Sequence, residues 1–164
     1  MIQYYYDDIQ KCFKYGCYLA ALHMALSMPD YCAKVMFPEI RKTTDRYIKF
    51  IDETLTPTES CGGDNMPYLD GEIIYQIRCS LLHDLDPVPD FEKLNFSDSP
   101  QIKDFKIRID SQVDIATSEG EYEYSAYRIA FVLSEICYHY YLENKDKFKN
   151  RDRFIFITPA KYRS

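Results

Sequence analysis

Apolar positions recur along this chain with two spacings, a helical one over most of its length and a strict alternation in one short stretch past the middle. From Tyr5 to Met28 the apolar residues Ile9, Cys12, Phe13, Tyr15, Leu19, Leu22, Ala25 and Leu26 follow the helical spacing, which predicts one long first helix. Pro29 biases the preceding residue away from helix, so this helix is expected to end near Met28. Asp30 to Arg41, with Pro38 inside it, reads as an irregular or short-helical connection. Thr43 or Thr44 supplies an N-cap for a second helix carrying Tyr47, Ile48, Phe50, Ile51 and Leu55 and stopping before Pro57. Thr56 to Pro67, with Gly62-Gly63-Asp64-Asn65, is turn chemistry and is expected as a surface loop.

Asp70 is a good N-cap for a third helix from Gly71, with Ile73, Ile74, Ile77, Leu81 and Leu82 as its apolar face. It is expected to run to about His83, because Pro87 and Pro89 in the Asp84–Asp90 stretch remove donors and clash with preceding turns. Between Gln101 and Ala116 the spacing alternates through Ile102, Phe105, Ile107 and Ile109, then Val113 and Ile115 after a polar turn, which predicts a small β-hairpin. Helical spacing returns from about Tyr124 to Tyr141, and Arg153–Ile157 reads as a short final strand. The expected molecule is one domain over residues 1–164, mainly α, a bundle of four to five helices with a small β-hairpin.

Composition narrows this picture. With 16 Tyr and 10 Phe, and nearly half its residues hydrophobic, the chain is not a disordered one. The six cysteines, Cys12, Cys17, Cys32, Cys61, Cys79 and Cys137, lack the paired spacings of disulfide frameworks and zinc sites. They are expected as free thiols, with Cys12, Cys17, Cys79 and Cys137 acting as small buried apolar groups. No metal or other cofactor is expected. The opening residues do not read as a secretory signal and no apolar run is long enough to span a bilayer, so the expected location is cytoplasmic and off the membrane. A formal charge of −6 disfavours broad polyanion binding, except at the C-terminus. There seven Lys/Arg against three acids give Tyr141–Ser164 a net +4 and leave −10 for the rest.

Gly-rich phosphate loops, HExxH and GxSxG are absent. His23 and His139 fall in helices among apolar neighbours and read as core or interface residues. The informative stretch is Tyr75-Gln76-Ile77-Arg78-Cys79-Ser80-Leu81-Leu82-His83-Asp84, which sets an arginine and a histidine four intervening residues apart late in a helix. This resembles the Arg-x4-6-His motif of HEPN-domain proteins, in a comparable helical context.

The resemblance implies a HEPN-like homodimer with its motif helices close together, a partner RNA and, in catalytic members, a metal-independent endoribonuclease. In that chemistry His83 transfers a proton to or from the ribose 2′-hydroxyl or the leaving oxygen, and Arg78 grips the phosphate. Cys79 and Ser80 are the neighbouring candidates for substrate contact. Many active family members carry Asn, Asp or His directly after the arginine, where this chain has Cys79, a weak hydrogen-bonding group. Residues five apart on a regular α-helix point about 140° from each other, so a joint site requires the last turn to unwind or two chains to share it. The alternative class is a non-catalytic interaction module. There Arg78 pairs with Glu72, Glu135 or another acid, and His83 occupies a favourable helix C-terminal position.

Overall fold

The computed structural model describes residues 1–56, 69–84, 104–116 and 120–149, with the backbone only at 83, 84, 104 and 105. Helix α1 spans Ile2–Lys14, α2 Tyr18–Met36, α3 Thr43–Thr54 and α4 Gly71–Cys79, which continues as a π-helical segment over Ser80–Asp84. Strands β1 (Asp104–Arg108), β2 (Ile115–Ala116) and β3 (Glu121–Ser125) follow, then α5 (Ala126–Glu143) and α6 (Lys145–Phe148). The protein is mainly helical with one small sheet.

The single first helix expected from Tyr5 to Met28 is instead two. Gly16 sits in the left-handed region at φ +69° and lets the chain turn between α1 and α2. The apolar stripe runs on across that turn because both helices face one core, so spacing alone does not mark the break.

Pro29 does not end α2. The helix passes through it to Met36, and Asp30–Met36, expected as irregular, is helical. A proline inside a helix loses one ladder bond, a cost of about 3 kcal/mol. Ala21, Leu22, Ala25, Leu26, Met28, Pro29, Cys32 and Ala33 are all buried along α2, and their packing outweighs it. At roughly 1.5–3 kcal/mol for a fully buried large apolar side chain, Leu22, Leu26 and Met28 alone exceed it. Apolar nearly all round, α2 becomes the central helix, packed by α1, α3 and α5.

Helix α4 begins as expected, with Asp70 Oδ1 accepting from the Ile73 N–H at 2.9 Å. Lys42, not Thr43 or Thr44, is the N-cap of α3, and it gives no side-chain cap. Gly71 fixes how closely α4 meets α3. A Cβ there would lie 2.4 Å from the Ile48 carbonyl oxygen, and the Gly71 N–H donates to Asp52 Oδ1 at 2.8 Å.

The small β element is present, but its expected partners do not pair with each other. The strand order is β1-β3-β2, with β1 parallel and β2 antiparallel to β3. The unrecognised strand β3 carries the signal in its own alternation, Glu121-Tyr122-Glu123-Tyr124, whose two tyrosines are buried. Its last residue, Ser125, also caps α5, accepting from the Arg128 N–H at 3.3 Å. The expected loop over Thr56–Pro67, the proline-rich turn beyond Asp84 and the strand at 153–157 lie, apart from Thr56, outside the described residues.

Candidate functional site

Arg78 is held from three helices. Its Nε and Nη2 donate to Asp30 Oδ2 at 3.1 and 2.8 Å, across from α4 to α2. The guanidinium stands 5.6 Å from the centres of the Tyr47 and Tyr75 rings, which meet edge to face. Tyr47, fully buried on α3, donates its hydroxyl to the Leu26 carbonyl, and Thr44 donates to the Tyr75 hydroxyl. Of the acids open to Arg78 as partners, Asp30 is the one that takes it, not Glu72 or Glu135. Asp30 reaches Arg78 only because α2 continues past Pro29.

Burial pulls the Arg78 pKa down, but the Asp30 charge and its hydrogen bonds outweigh that and hold it above the ordinary arginine value. The same burial pushes the Tyr47 hydroxyl well above the tyrosine range. Asp30 Oδ2 carries both bonds from Arg78, while Oδ1 is buried with no donor among the described residues. An arginine has five N–H donors. Two go to Asp30, so three have no protein acceptor among the described residues.

The pair edges a surface groove of about 600 Å³ lined by Tyr5, Ser27, Asp30, Tyr31, Lys34, Thr43 and Arg78. The Arg78 and Asp30 side chains are 17 % and 19 % exposed, so the groove reaches both. Cys79 and Ser80, half-buried, are not among its lining residues. His83 lies in the π segment, and its side chain is outside the described residues. That segment bears on the expected geometry, since a π-helix winds more residues into each turn than an α-helix. Backbone positions 78 and 83 are therefore turned less than 140° apart, by widening of the last turn and not by its unwinding.

The apolar face of α4 and its π-helical continuation, with Ile73, Ile74, Ile77 and Leu81, is turned into the core. Among the described residues, α5 carries an apolar face that is partly open. There a groove of about 700 Å³ is lined by Phe131, Val132, Ile136 and Tyr140, with Arg128 near one end, Glu143 at the other and Glu135 and His139 between. Phe131 is 41 % exposed. His139, expected as a core or interface residue, is exposed beside this face, 3.6 Å from Glu135. His23 is half-buried in α2. Glu135 also accepts from the Tyr6 hydroxyl at 2.7 Å, and Tyr6 stacks on Tyr138 at 4.0 Å, which ties α1 to α5.

Five cysteines are free: Cys32 and Cys137 buried, Cys12 and Cys79 half-buried, and Cys17 exposed at the start of α2 rather than packed as expected. Cys61 lies outside the described residues. Among the described residues no cluster of His, Cys, Asp or Glu suits a metal ion, and no helix is long and apolar enough to cross a membrane. Comparison with family models, with curated proteins and with solved structures gives no match.

Proposed function

We propose that this chain is a HEPN-like RNA-binding protein whose Arg78 groove takes a backbone phosphate, with His83 as the proton-transfer group of a metal-independent cleavage. The observation that carries this reading is the Arg78 guanidinium, oriented by Asp30 on one side, with three donors that have no acceptor among the described residues, at the edge of a groove that Lys34, Ser27 and Thr43 also line. A fixed guanidinium fork suits two phosphate oxygens, and an orienting carboxylate lowers the entropy cost of aligning it.

The test is incubation of the protein with a mixed RNA pool in EDTA, beside Arg78→Ala and His83→Ala forms. Cleavage that both substitutions abolish supports the full reading. RNA binding without cleavage, lost in Arg78→Ala and kept in His83→Ala, supports the phosphate groove alone. If the unsubstituted protein neither binds nor cuts RNA, the reading fails.

The open face of α5 favours a second role, assembly of a two-fold homodimer through α5 rather than α4. Arg128 and Glu143 lie seven positions to either side of the Glu135-Ile136 step. Antiparallel pairing about that step sets the Arg128 of one copy against the Glu143 of the other, the self-complementarity that a two-fold contact requires.

A further inference from the structure

The Arg78 groove has an aromatic wall that phosphate binding does not use. Tyr31 follows Asp30 directly on α2, so the stretch of helix that holds a carboxylate on Arg78 also brings a ring to the groove. Tyr5 reaches the same place from α1, its ring centre 6.2 Å from that of Tyr31 and its plane tilted by 57°. Both rings are half-buried against the core and both line the groove, so each is anchored on one side and offers the groove part of its surface. They are not the rings that brace the guanidinium, because Tyr47 and Tyr75 do that from α3 and α4.

The rest of the lining suits the remainder of a nucleotide. Two cations, Arg78 and Lys34, face one acid, Asp30, and the volume of about 600 Å³ falls within the range of about 300–1,000 Å³ common for small-molecule sites. Every nucleobase has a π face that stacks on an aromatic ring whatever its hydrogen-bonding edge, so such a wall selects an unpaired base rather than a sequence. In a duplex the neighbouring bases cover both faces, which leaves Arg78 a phosphate to hold and Tyr31 nothing to stack on. Burial first, then Tyr5 and Asp30 nearby, hold the Tyr31 hydroxyl above its ordinary value, which keeps this ring neutral beside an anionic ligand.

We propose that Tyr5 and Tyr31 form a base-stacking subsite, so that the groove takes an unpaired nucleotide with its base against these rings and its phosphate on Arg78. The subsite rests on the phosphate reading of Arg78 and deepens it by naming the substrate as single-stranded.

The experiment is a resonance titration of the whole chain, in EDTA, that follows the Arg78 Nε–H and the ring protons of Tyr5 and Tyr31. The titrants are ribose 5-phosphate and adenosine 5′-monophosphate, which share sugar and phosphate and differ in the base. Both are expected to move Arg78 saturably, the nucleotide about tenfold more tightly, and the nucleotide alone is expected to shift the two rings. Tyr31→Leu should remove the advantage of the nucleotide and Tyr31→Phe should keep it, since stacking does not need the hydroxyl. If Arg78 responds equally to both titrants and the rings stay still, the stacking subsite is overturned while the phosphate reading stands. If neither titrant moves Arg78, the phosphate reading fails and the subsite fails with it.

Discussion

At the scale of single residues, the Tyr6–Glu135 contact has a measurable pH signature. Burial first, then the hydrogen bond to the Glu135 carboxylate and its charge, push the Tyr6 hydroxyl from 10.0 up to about 12. The folded protein thus keeps this proton to higher pH than the unfolded chain does. The associated stability is whole below the unfolded pKa and drains away as pH rises through the folded one, between about 10 and about 12. Tyr6→Phe should flatten that alkaline loss. Urea-unfolding midpoints of both forms across this range measure it, and parallel alkaline slopes would remove Tyr6 as the cause. Glu135 and Tyr6 are 129 positions apart, so neither their spacing nor their types advertise the contact. The same holds for Arg78 and Asp30. The arginine stands out in the sequence, whereas its partner lies just after a proline, in a stretch whose local chemistry argues against helix.

Two glycines separate backbone geometry from packing at the scale of elements. Gly16 is left-handed with open space around it, so Gly16→Ala is expected to cost about 1–2 kcal/mol from backbone conformation alone. Gly71 carries no such φ, yet a methyl there would run into the Ile48 carbonyl and Asp52. Gly71→Ala should cost more, about 2–3 kcal/mol, by pushing α4 away from α3. Chemical denaturation of the two variants gives the order, and a larger loss at Gly16 would contradict this account of the α3–α4 contact. Elements legible in the sequence are those whose ends carry local chemistry, as Asp70 does for α4 and the polar break before Pro57 does for α3. Those that were not legible depend on distant packing. Helix α2 crosses Pro29 on the strength of its burial, and β3 is five residues long and runs straight into α5, so its alternation is read as the start of a helix.

For the whole molecule the open face of α5 decides the expected assembly. Among the described residues Val132 and Ile136 are only partly buried, and Phe131 stands out beside them. A two-fold contact through this face predicts a dimer mass by light scattering at micromolar concentration. Phe131→Glu should return the monomer mass with the melting temperature little changed, since this residue lies outside the core. A monomer mass for the unsubstituted protein would remove the dimer while leaving the Arg78 groove intact.

The sheet also governs how the folded chain meets copies of itself under crowded conditions. Among the described residues its middle strand β3 is bonded on both sides, so the edges left for a stray strand are β1 and β2. Strand β2 offers two residues, too few to template a neighbour, and β1 sets Lys106 and Arg108 along its length. Short strands and edge cations are features that discourage strand-to-strand aggregation, and the order β1-β3-β2 among the described residues puts β3, bonded on both sides, where a stray strand cannot add to it.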